Sequence, residues 1–166
     1  MKLEYFKDTI GIYPGALDQS LCNEMIEEFH RKRDSNVYEG FTLGGKNHKM
    51  KRTNELNLKN TGVTLYDEWV EIIEEVAIRL NKRYLKKFGH LEKFNALQVH
   101  GEGVYYPLWK IQEYKKNQGH YHAWHTEQNY SRNTCQRLMV SMFYLNDVYK
   151  GGETCFPLSD IEVTPE

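Results

Sequence analysis

The chain changes texture near Asn95, and that change limits what it can fold into. Before it lie two segments with apolar residues at helical spacing. After it, "ALQVHGEGVYYPLWKIQEYKK", "HYHAWHTE", "QRLMVSMFYLND" and "ETCFPL" are short, aromatic and β-branched, broken by glycine. Helices followed by strands predict an α+β domain whose C-terminal part is a sheet or barrel.

The helical expectation rests on two stripes. In "ALDQSLCNEMIEEFHRKR", Leu21, Cys22, Met25, Ile26 and Phe29 share one face, with Asp18 or Ser20 as cap. From Asp67 to Phe88, the residues Trp69, Ile72, Ile73, Val76, Leu80 and Tyr84 mark a second apolar face, and Gly89 stands at the C′ position. Between the helices, Ser35 to Asn54 is glycine-rich and basic, with "KNHKMKR" near its end. It reads as a solvated loop, with a lid or a substrate-contacting loop as the functional alternative.

With 166 residues the chain suits a single domain over 1–166, mainly helical support and loop over 1–94 and strands over 95–166. A net charge of −1 argues against nucleic acid or an anionic membrane surface as partner. No apolar run has the length of a signal peptide or a membrane span. The three cysteines, Cys22, Cys135 and Cys155, show no CxxC spacing and suit reduced thiols in a cytoplasm.

The chemistry concentrates in "HYHAWHTE", His120 to Glu127. On a strand, alternate side chains share a face. Tyr121, Ala123, His125 and Glu127 then point one way, and His120, His122 and Trp124 the other. His125 and Glu127 become a chelating pair, an imidazole nitrogen and a carboxylate oxygen suited to Fe(II), Mn or Zn. The HExxH motif of zinc proteases is absent. Alone, a His-x-Glu match is a weak signal, and surface or core histidines are the bland alternative.

The surrounding run makes it stronger. Tyr114, Gly119, Tyr121, Trp124-His125-Thr126-Glu127, Arg137, Tyr144-Leu145-Asn146-Asp147, Gly151-Gly152-Glu153-Thr154 and Phe156-Pro157 follow one another in order. Together they resemble the iron- and 2-oxoglutarate-dependent dioxygenases of the prolyl 4-hydroxylase type, over residues 111–157. The resemblance implies a double-stranded β-helix, or jelly roll, behind supporting N-terminal helices. It implies Fe(II) held by His125 and Glu127, and 2-oxoglutarate bound by the hydroxyls of Tyr114 and Tyr144. It also implies a substrate-side role for Arg137, a tight turn at Gly151-Gly152, and ascorbate as an accessory cofactor. The implied reaction consumes O₂ and hydroxylates an unactivated C–H bond, giving succinate and CO₂. The substrate class is a peptide or protein, first of all peptidyl proline, or else a small molecule.

Two departures stand out. Glu127 replaces the Asp usual in this family. In addition, no histidine follows Glu127, and the later basic residues Arg132, Arg137 and Lys150 are not placed like the family's cosubstrate-pairing residue. The jelly roll is therefore expected to be cut short at the C-terminus, and this chain as it stands to be inactive if nothing else supplies those groups. Two other classes compete. A cupin-like metal-binding protein would use His120 and His122 as ligands. A non-catalytic interaction domain on a decayed or truncated dioxygenase scaffold would tolerate loss of Glu127.

Overall fold

The computed structural model describes residues 4–42, 44–60, 63–89, 108–128 and 139–165. It is an α+β chain with two helices and several small antiparallel sheets. No closed barrel is formed among the described residues. No helix in them is long and apolar enough to cross a membrane.

In chain order the elements are β1 (Tyr5–Lys7), β2 (Ile10–Ile12), α1 (Gln19–Arg31), β3 (Tyr38–Glu39), β4 (Lys51–Arg52), β5 (Asn54–Asn60), β6 (Val63–Thr64), α2 (Asp67–Lys87), β7 (Leu108–Glu113), β8 (His120–Tyr121), β9 (Thr154–Phe156) and β10 (Ile161–Val163). One sheet runs β3-β5-β6, and β7 also pairs with β5. Three two-stranded sheets, β1-β2, β4-β8 and β9-β10, complete the set. The chain divides into two compact units, one of residues 1–56, 110–121 and 143–166, the other of 57–109 and 122–142.

In the first unit, α1 buries Cys22, Met25 and Phe29, three residues of its expected stripe. Its N-cap is Asp18, one of the two residues expected there, but the side chain makes no capping hydrogen bond. The expected loop at Ser35 to Asn54 is more regular than its composition suggests, because it contributes β3, β4 and the start of β5.

This unit also buries a charge cluster. Glu55 is 2 % exposed and Lys51 5 %. Lys51 Nζ lies 2.6 Å and Lys110 Nζ 2.9 Å from the Glu55 carboxylate. Gln112 Nε2 donates to it at 2.7 Å and Thr53 Oγ1 at 3.0 Å. Burial alone would raise the Glu55 pKa, but these donors outweigh it and hold the group down at about 2. Lys51 also sits over the Tyr121 ring, 5.1 Å from its centroid. Lys51, expected in a solvated basic run, is therefore a core residue.

In the second unit, α2 follows its expected span closely. Trp69, Ile73 and Val76 are buried with Val70 and Ala77, whereas Ile72 is 43 % exposed and lies off the stripe. Glu74 on α2 accepts hydrogen bonds from Lys59 Nζ at 2.5 Å and from Trp109 Nε1 at 3.0 Å. Gly89 does not take the left-handed conformation expected of a C′ glycine.

Candidate functional site

The expected strand across His120 to Glu127 is only two residues long. His120–Tyr121 pairs with β4, Lys51 against Tyr121 and Arg52 against His120. Beyond Tyr121 the backbone leaves the sheet, since in this antiparallel pairing the next partner would precede β4, which begins at Lys51. His125 and Glu127 nevertheless meet. His125 Nε2 is 3.2 Å from Glu127 Oε1, and both side chains are accessible. Loop geometry brings them together, not the alternation of a pleated strand.

The histidine ring is oriented by its other nitrogen. His125 Nδ1 lies 2.9 Å from the Ala123 carbonyl oxygen. A carbonyl and a carboxylate both only accept, so Nδ1 donates to Ala123, and Nε2, the nitrogen turned to Glu127, meets that carboxylate through a proton or a cation. Metal-ligating histidines are held in this way, through the ring N–H that does not face the metal. The spacing also fits. Two donor atoms about 2.1 Å from one cation, at right angles, stand about 3 Å apart. The donor set, one imidazole and one carboxylate, is that of a borderline first-row metal. Among the described residues no three His, Cys, Asp or Glu side chains gather as a metal site.

The other expected site residues divide as follows. Tyr144 and Tyr114 belong to the first unit, and His125 and Glu127 to the second. Tyr144 is half-buried, and its hydroxyl meets Thr154 Oγ1 at 2.5 Å. Burial raises its pKa and outweighs the Thr154 hydrogen bond, which keeps the phenol protonated as a donor needs. Tyr114 is 45 % exposed. Arg137 lies outside the described residues. Gly151 and Gly152 take positive φ of 84° and 79°, the conformation that glycine adopts without strain. They precede β9, but the strand expected on their other side, within "QRLMVSMFYLND", does not form over residues 139–146.

His120 sits between two backbone carbonyls. Its Nε2 lies 2.9 Å from the His48 carbonyl and its Nδ1 3.1 Å from that of Gln118. Gly119 just before it is packed against backbone. A Cβ there would stand 2.5 Å from Lys115 N and from Tyr114 Cα. Backbone cannot yield as a flexible side chain can, so Gly119→Ala should cost about 1–3 kcal/mol. Chemical denaturation of the variant against the parent chain checks this.

Compared with family models, curated proteins and solved structures, the chain matches none of them.

Proposed function

We propose that this chain is an Fe(II)- and 2-oxoglutarate-dependent dioxygenase of the prolyl 4-hydroxylase type, built on a jelly-roll scaffold. The observation that carries the proposal is the His125–Glu127 pair, 3.2 Å apart with Nδ1 tied to a carbonyl. The ordered run from Tyr114 to Pro157 supports it from the sequence. The free thiols of Cys22 and Cys155 suit a reducing, cytoplasmic setting.

Fe(II), when bound, supplies the oxidation chemistry that no side chain of the chain can supply. His125 would hold it through Nε2 and Glu127 through its carboxylate. The Ala123 carbonyl keeps the imidazole turned to that point and fixes the proton on Nδ1. Trp124, 69 % exposed beside the pair, offers an indole face against which a prolyl ring can stack. Tyr144 has one hydroxyl proton. When Thr154 donates to Tyr144, that proton is left for a carboxylate, the role given to this tyrosine and to Tyr114. Arg137 keeps its proposed place on the substrate side.

The cupin-like alternative needs His120 as a ligand, and both ring nitrogens of His120 are committed to carbonyls. The interaction-domain alternative predicts no turnover. The experiment that separates it is succinate formation from 2-oxoglutarate under air, with Fe(II) added. Where the histidine and the basic group that no residue after Glu127 provides are supplied, the expected result is an oxygen-dependent rate that His125→Ala removes. A rate equal in the parent chain and His125→Ala would contradict the proposal. Tyr144→Phe should raise KM for 2-oxoglutarate by roughly tenfold with kcat largely kept, the value of one hydrogen bond to a charged group. Steady-state kinetics on the variant test it.

A further inference from the structure

A small polar pocket of about 120 Å³ opens in the first unit, separate from any residue assigned above to metal. Glu39 at the end of β3, Arg52 in β4, Thr53 and Asn54 entering β5, Glu113 ending β7, and the following turn at Lys115 to Gly119 line it. The pocket is far smaller than the ~300–1,000 Å³ of sites for drug-sized ligands. Its lining is mainly polar and charged. A small ion fits such a space better than an apolar molecule.

The charges decide which ion. Glu113 is already satisfied, with Arg33 at 2.6 Å and Asn54 Nδ2 at 2.6 Å. Glu39 is satisfied as well, with Lys46 at 3.1 Å and His48 Nδ1 at 3.1 Å. Arg52 and Lys115 act on these two carboxylates only at longer range. Neither forms an ion pair within 4.0 Å among the described residues. Four side chains that are always cationic near neutral pH, Arg33, Lys46, Arg52 and Lys115, thus face two carboxylates. The surplus is positive, and it falls on the two cations of the lining.

The fold explains why Arg52 stands there. Lys51 and Arg52 are neighbours on β4, so their side chains leave opposite faces. Lys51 turns inward to Glu55, and Arg52 is left exposed. On the other side, the turn after β7 is fixed by Gly119 N donating to Lys115 O at 2.6 Å and Gln118 N to the same oxygen at 3.0 Å. His120 pins the end of that turn through the Gln118 and His48 carbonyls. The lysine and the arginine are therefore carried by held backbone on both walls.

We propose that this pocket is a binding site for a small oxyanion, a carboxylate or a phosphate group, clasped between Arg52 and Lys115. Arg52 supplies a planar fork that matches two oxygens, and Lys115 a point charge. The Gln118 amide stands in the same lining as a neutral donor. The site does not depend on the metal reading, and its test uses no metal.

The test is a titration of the metal-free chain with inorganic phosphate and, separately, with succinate, followed by amide chemical shifts. The expected result is saturable shifts confined to residues near Arg52 and Lys115 for at least one anion. The anion that saturates at lower concentration identifies the group as phosphate or carboxylate. Arg52→Ala with Lys115→Ala should weaken that binding by ~100-fold, about tenfold for each charged contact. Both residues are exposed, so the variant should keep its fold, and unchanged shifts at the Glu55 cluster check that. Arg52→Lys should retain part of the affinity. Shifts that stay linear with both anions, or equal binding by the double variant, would overturn the proposal.

Discussion

Glu55→Ala should destabilise the chain by about 3–5 kcal/mol, which is a large share of the ~5–15 kcal/mol that holds a typical domain folded. The loss does not come from the glutamate contacts alone. Lys51 would remain at 5 % exposure with its ammonium group out of water and its carboxylate partner gone. Lys110 would lose the same partner. An uncompensated buried charge is among the few changes that reach this magnitude. Urea unfolding at neutral pH measures it, and a loss under ~1 kcal/mol would mean that water reaches the cluster.

The same carboxylate sets an acid limit. Its folded pKa is about 2, against an ordinary 4.5. A lowered folded pKa favours the folded state above the unfolded pKa, and the contribution is lost as pH falls towards the folded value. The shift corresponds to about 3 kcal/mol, at 1.36 kcal/mol per unit. Stability should therefore fall between roughly pH 5 and pH 2, and the Glu55→Gln variant should lack that part of the slope. Unfolding midpoints measured across this range compare the two.

The second large effect is on metal. Glu127→Ala should weaken Fe(II) binding by at least ~100-fold, since the pair then keeps a single ligand. His125→Ala should do the same. His122→Ala should leave affinity within about twofold, because His122 is given no part in the pair. Anaerobic equilibrium dialysis with Fe(II) reads all three. Equal affinity across the set would remove His125 and Glu127 from the metal site.

The helices were legible because their signal is local and long. Over 21 residues α2 keeps charges on one side and Trp69, Ile73 and Val76 on the other, and no neighbour is needed to see it. The strand β5 was harder to see. "NELNLKN" is poor in β-branched and aromatic residues, and it forms because Leu56 and Leu58 are buried beside β3 and β7. The Glu55 cluster was invisible for a related reason. Lys51 and Glu55 are close in sequence, but Lys110 and Gln112 arrive from β7, more than fifty residues on. In the candidate site, the His-x-Glu spacing pointed to two side chains that do meet, but for a different reason. Strand alternation was expected to align them, whereas the chain leaves β8 after Tyr121 and the loop beyond it does so. The Arg52–Lys115 pocket had no sequence signal, because its two cations stand 63 positions apart.

The most direct test of the account is an anaerobic titration of the chain with Fe(II) and 2-oxoglutarate, followed by visible absorption. The account predicts a charge-transfer band that grows to saturation and is absent in Glu127→Ala. No band at saturating Fe(II) and 2-oxoglutarate, or a band that survives in Glu127→Ala, would contradict it.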